Sequence, residues 1–140
     1  MFFNKKVSQP VAKVAREVAI VESMSNAMAM VEFDTQGIVV EASANFLNAM
    51  GYERAEVVGQ HHRQFCSRSE ASSIKYQQFW RDIASGQPQS GRFTRYRKDG
   101  GEVVIEGNDF PIKQDGKVIG AMKLPPTLQR CTKKRSASKI

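Results

Sequence analysis

Three features of this 140-residue sequence predict an α+β fold: a five-stranded antiparallel sheet with short helices over one face and a flanking N-terminal helix. Two strand-like runs open the body and three close it, and the stretch between them carries helical patterning. Neighbouring strand-like runs are joined by short turns, Thr35-Gln36-Gly37, Lys98-Asp99-Gly100-Gly101 and Lys113-Gln114-Asp115-Gly116, which favour antiparallel pairing. Helices inserted into such a meander cover one face of the sheet.

Val7 to about Met24 reads as the flanking helix, with Ser8 as a cap and Pro10 tolerable in the first turn. Val7, Val11, Val14, Val18 and Val21 alternate spacings of four and three, a narrow a/d stripe. Two readings of Val11, Val14, Val18 and Val21 stay open: a helix packed on its own domain, or a seam with a second copy in a homodimer. Ala27–Asp34 and Ile38–Ala42 are the first two strands. Asn45–Met50 reads as a short helix stopped by Gly51, and Glu53–Val58 as another stopped by Gly59. Then comes Gly59-Gln60-His61-His62-Arg63-Gln64-Phe65-Cys66, which holds both histidines of the chain. Ser67-Arg68-Ser69-Glu70 reads as a polar loop. Ala71–Ala84 is a longer helix with Ile74, Phe79, Trp80 and Ile83 on one face. Gly91–Arg97, Glu102–Ile112 and Lys117–Leu124 are the last strands, and Pro125-Pro126 is expected to stop the sheet.

The net charge of +7 sits at the chain ends, because the body from Val21 to Leu128 carries nearly equal numbers of acidic and basic residues. A nucleic-acid reader places its basic patch on the folded body, so no specific nucleic-acid binding is expected, and Lys133-Lys134-Arg135 reads as a solvated tail. No run reaches the roughly 20 apolar residues of a membrane span, and no signal-peptide pattern opens the chain. Two cysteines without a secretory signal read as free thiols, which points to the cytoplasm. There is no glycine-rich phosphate loop, nucleophile–base arrangement or isolated carboxylate pair, so no enzyme is expected.

In order along the chain, Val31-Glu32-Phe33-Asp34 through Gly37 is followed by Asn45-Phe46-Leu47, Gly51-Tyr52, Glu56-Val57-Val58-Gly59 and His61-His62-Arg63-Gln64-Phe65-Cys66. Phe79-Trp80, Gly86, Gly91-Arg92-Phe93, Lys98-Asp99-Gly100, Pro111-Ile112 and Asp115-Gly116 come next. Together they resemble a PAS domain over about residues 25–124. The His-His-Arg-x-Phe-Cys segment with Phe79-Trp80 is similar to PAS domains of bacterial chemoreceptor-type proteins, which include cytoplasmic aerotaxis and biofilm-dispersal transducers, some of which bind haem. The resemblance implies a sensor with a ligand cavity between sheet and helices. It divides the chain into an N-terminal helical extension (1–24), the PAS domain (25–124) and a basic tail (125–140). It also predicts a closing Asp-x-Thr motif, where Leu124-Pro125-Pro126-Thr127 stands instead.

Candidate chemistry centres on His61 and His62. A neutral imidazole is a good axial ligand for haem b, and adjacent side chains point apart, so at most one faces the cavity. The alternative is that the pair caps the short-helix segment. The aerotaxis type is expected to carry a Trp on the last strand, and Lys117–Leu124 has none; Trp80 reads as core packing. A zinc set of His61, His62, Cys66 and Cys131 matches no tight knuckle, so no metal site is expected. Arg63 and the imidazoles could lower the Cys66 pKa, against a buried, inert thiol. Phe65-Cys66-Ser67-Arg68 is too loose an echo of a photoactive flavin loop. Phe65, Trp80, Phe93 and Asp109 are the cavity candidates, Asp109 contacting a ligand if inward and solvated if outward. The function expected is a small cytoplasmic sensory domain that binds an unidentified small ligand and signals through a homodimer or a signalling partner. The alternative is a ligand-free dimerisation or docking module.

Overall fold

The computed structural model describes residues 2–130, with side-chain placement described for residues 10–124. Its elements are α1 (Phe2–Ala27), β1 (Val31–Phe33), β2 (Val39–Ala42), α2 (Ala44–Met50), α3 (Arg54–Val57), a 3-10 turn (His62–Phe65), α4 (Arg68–Ala71), α5 (Ile74–Ala84), β3 (Gln89–Tyr96), β4 (Glu102–Gln114) and β5 (Lys117–Arg130). The five strands form one sheet in the order β2-β1-β5-β4-β3, with every neighbouring pair antiparallel. The expected α+β architecture is present, flanking helix included.

Serines set the helix boundaries. Ser43, Ser67 and Ser73 cap α2, α4 and α5, with the Ser67 and Ser73 hydroxyls each accepting from a backbone N–H at 3.1 Å. The Ser73 cap starts α5 three residues later than the sequence suggested, and the Ser67 cap turns the expected polar loop into α4. Ile74 is therefore the first residue of its helix and stands 78% exposed, away from the core face assigned to it. Tyr76, Phe79, Trp80 and Ile83 form the inward stripe in its place, at the spacing of one helix face. Large apolar side chains buried in this way stabilise by about 1.5–3 kcal/mol each.

The core lies between the sheet and α2, α3 and α5, with Phe33, Phe46, Phe65, Met50, Ile83 and Ile105 its largest fully buried apolar side chains. Gly120 on β5 lies so close to the Phe33 carbonyl that no Cβ could be placed there, which lets β1 and β5 pair at this point.

Two boundaries differ from expectation at prolines. α1 begins at Phe2, so Pro10 lies inside the helix rather than in a first turn behind Ser8, where its ring removes one helical hydrogen bond. The sheet does not stop at Pro125-Pro126. β5 runs to Arg130, and its register with β4 passes from Asn108↔Leu124 to Glu106↔Thr127, so the two prolines oppose Gly107 alone. Such a bulge leaves ladder hydrogen bonds unmade, and proline, lacking an N–H, gives up nothing there. Cys131 and Lys133-Lys134-Arg135 lie outside the described residues.

Candidate functional site

The His61-His62 segment is laced to the first hairpin. Gly59 N–H donates to the Val39 carbonyl (2.8 Å), Val39 N–H to Gln60 (2.9 Å) and His62 N–H to Gly37 (2.8 Å). The two imidazoles diverge. His61 caps the 3-10 turn, its Nδ1 accepting from Arg63 N–H at 3.0 Å, and its ring lies half-buried beside Gly37 and Trp80. His62 points inward and is 1% exposed, with Nδ1 2.9 Å from the Tyr76 hydroxyl and 3.7 Å from Cys66 Sγ. Tyr76 and Phe79 lie parallel to its ring, and Phe33, Phe65 and Trp80 meet it edge-on. Burial, then the positive charges of Lys123 and Arg95, hold the His62 pKa well below the ordinary range, so the imidazole is neutral. Burial likewise pushes the Cys66 thiol up to about 11 and raises the Tyr76 hydroxyl. Cys66 is thus an unreactive thiol, because desolvation outweighs the nearby positive charge expected to activate it.

Gly37 holds a backbone φ of +84°, and a Cβ there would come within 2.8 Å of His61 Nε2. Gly37→Ala is expected to destabilise by about 1–2 kcal/mol through left-handed strain. It should also displace the His61 ring. Urea denaturation and the His61 NMR resonances check both effects; an unchanged midpoint with unmoved His61 signals contradicts the placement.

Three charged side chains lie beneath α5. Lys123 Nζ and the Asp109 carboxylate, 2.7 Å apart, are 3% and 5% exposed at the side chain. Asp109 is therefore inward, and its contact is Lys123. Arg95, 3% exposed, donates through Nη1 to Glu70 (3.0 Å) and to the Thr94 carbonyl (2.8 Å), while its buried Nε meets no partner. Both cations stand over the half-buried Phe93 ring, Arg95 at 5.1 Å and Lys123 at 5.3 Å. Burial lowers the Lys123 pKa, and Asp109 opposes the shift.

These groups border two spaces. An inner crevice, walled by Phe33, Phe46, His62, Phe65, Arg95 and Lys123, is packed so closely that no water-sized gap remains. Outside it, a groove of about 630 Å³ runs between α5 and β3, with Phe79, Phe93, Tyr76 and Glu70 in its walls. Arg95 lines both. His61 instead borders a separate open groove of about 420 Å³ with Gln36, Arg63 and Arg81.

Of the expected cavity residues, Phe65 is core, meeting Phe46 and Tyr52 edge-on, and Trp80 packs between the two histidines. Phe93 reaches the groove. The residues as placed do not fit a haem. His62 is enclosed by rings beside a crevice without a water-sized gap, and His61 faces a groove rimmed by polar and charged side chains, not a dry pocket. Among the described residues no three potential metal ligands converge. No helix among them is long and apolar enough to cross a membrane. Sequence reasoning missed Arg95, Lys123, Glu70 and Tyr76. Strand alternation held the signal for the first two: Arg95 shares the face of Phe93, and Lys123 that of Ala121.

Residues 25–122 match the family model described as PAS domain. The chain is 38% identical over 103 residues to the biofilm dispersion protein BdlA of Pseudomonas aeruginosa, covering 73% of this chain and 25% of that protein. It is 26% identical over 91 residues to the aerotaxis receptor of Escherichia coli, covering 65% of this chain and 18% of the receptor. The chain thus spans a quarter or less of these relatives. Among solved structures, a light-oxygen-voltage domain studied with a flavin analogue superposes with a TM-score of 0.65 at 19% identity, over 86% of this chain and 90% of that one. The PAS domain of a protein from Colwellia psychrerythraea gives 0.61 at 22% identity, over 75% and 86%. These likenesses concern the fold.

Proposed function

The chain belongs to the PAS domain family, and from that premise we propose that it is a cytoplasmic signal-transduction sensor, without catalytic chemistry of its own. A small ligand enters between α5 and β3, and its presence is relayed through a homodimer formed on α1 or through a signalling partner. The observation that carries this is the set of buried charges under α5. A core built for stability alone would fill that place with apolar side chains, since burying ions is costly unless they are fully paired. Arg95 is not fully paired, and it stands where the groove meets the interior. The names of the two relatives, a dispersion protein and a receptor, support a sensory role.

The relay rests on α1. Val11, Val14, Val18 and Val21 are 62%, 59%, 50% and 54% exposed, so their stripe does not pack on its own domain. Near its C-terminal end the helix is tied to α2, where Asn45 Nδ2–H donates to the Asn26 carbonyl at 2.9 Å. A stripe of this kind gains stability by pairing with a second copy. The double variant Val14→Asp/Val18→Asp is expected to convert a dimer to a monomer by light scattering, with a thermal midpoint within a few degrees of the parent, since both sites are exposed. A variant that stays dimeric removes α1 from the interface.

One observation favours the ligand-free docking module instead: Phe33, Phe46 and Phe65 already fill the inner crevice. A thermal-shift panel of small metabolites separates the two. One chemical class raising the midpoint supports the sensor; a flat panel from a chain that still dimerises supports the docking module.

A further inference from the structure

We infer that the groove between α5 and β3 is a site for a small monocarboxylic acid, its carboxylate bound to the Arg95 guanidinium that lines the groove and its apolar body lying on Phe79 and Phe93. This rests on the sensor reading and names the class of ligand. Arg95 is buried to 3% exposure, and its Nε–H is fully enclosed without an acceptor. A buried guanidinium under-paired in this way is costly, and a carboxylate approaching from the groove that Arg95 lines is its natural geometric partner. The charge balance points the same way. The enclosed set holds Arg95, Lys123 and Asp109, so one positive charge is in excess, and its counter-charge, the Glu70 carboxylate, sits at the rim with its side chain 36% exposed. Glu70 balances that charge only from the screened rim, so an incoming carboxylate shares the Arg95 guanidinium with it. A dianion would set a second charge against Glu70, and Asp82 also borders the groove.

The body of the ligand follows from the walls. Phe79 and Phe93 meet edge to face at 6.3 Å beside the guanidinium, and the groove's volume of about 630 Å³ lies in the range of small-molecule sites. Flat or aliphatic apolar groups gain contact there that hydrophilic acids do not.

Isothermal titration calorimetry of the full chain with phenylacetate, phenylacetamide and phenyl phosphate tests the inference. Phenylacetate should bind, and the amide and the phosphate should each bind about tenfold or more weakly, the range for losing or mismatching a charged hydrogen bond. Arg95→Gln should lose about tenfold or more in phenylacetate affinity. Because that variant leaves Glu70 without its partner and could fail to fold, Glu70→Gln provides a second arm. It removes the carboxylate that competes for the guanidinium, so phenylacetate should bind more tightly than to the parent. Equal affinity for acid and amide, or no tightening in Glu70→Gln, overturns the site. If another chemical class raises the thermal midpoint while phenylacetate binds neither the parent nor Glu70→Gln, the carboxylate assignment falls and the sensor stands. If nothing in either experiment binds, both fall.

Discussion

Asp109→Ala is expected to destabilise the chain by about 3–5 kcal/mol at neutral pH, the range for removing one partner of a buried ion pair. Lys123, 2% exposed, would keep its charge in the core with no carboxylate beside it. The double variant Asp109→Leu/Lys123→Met should recover most of that loss or exceed the parent, because the desolvation of both ions disappears together. The pH dependence has a definite sign. Burial depresses the Lys123 pKa, and the two opposing influences of Asp109, Coulombic attraction and a hydrogen bond, are lost in the variant, so the folded pKa drops further. Between that folded value and the ordinary lysine value of about 10.4, the unfolded chain binds more protons, and unfolding free energy rises with pH. The deficit of Asp109→Ala against the parent should therefore shrink as pH climbs from 7 toward 10. Urea denaturation followed by Trp80 fluorescence measures it; a deficit constant across that interval contradicts a buried, charged Lys123.

Phe65→Ala should cost about 3–5 kcal/mol, the transfer of the ring plus the void it leaves. The ring is 2% exposed and meets Phe46, Tyr52 and His62 edge to face at 5.4, 5.8 and 6.0 Å. The crevice beside it has no slack to absorb the change. Phe65→Leu keeps more of the volume and should cost less. A Phe65→Ala loss under about 1 kcal/mol would show an interior able to collapse, and the filled-core reading would lose its basis.

Much of the fold was legible because short-range chemistry decides it. Turn residues and alternation set the antiparallel strands, and Val103 and Ile105 on one phase of β4 are buried as that alternation requires. The misplaced boundaries each have a local cause: serine caps at Ser67 and Ser73, and a bulge that admits Pro125-Pro126. The site was less legible. His61 and His62 stood out because they are the chain's two histidines, yet the inward one is held by Tyr76 and the outward one caps a turn. Arg95 and Lys123 sit on strands whose charged residues otherwise read as solvated, and their burial depends on Glu70 and Asp109 arriving from distant segments. Ion pairing across 14 and 25 residues leaves no periodic trace.

Native mass spectrometry of the full chain, incubated with a small-metabolite extract and then desalted, shows whether the domain holds a ligand. Dimers are expected whose subunits carry a small organic mass, released when the protein is denatured. Bare chain masses under the same conditions, in dimer or monomer, would contradict a ligand-binding sensor.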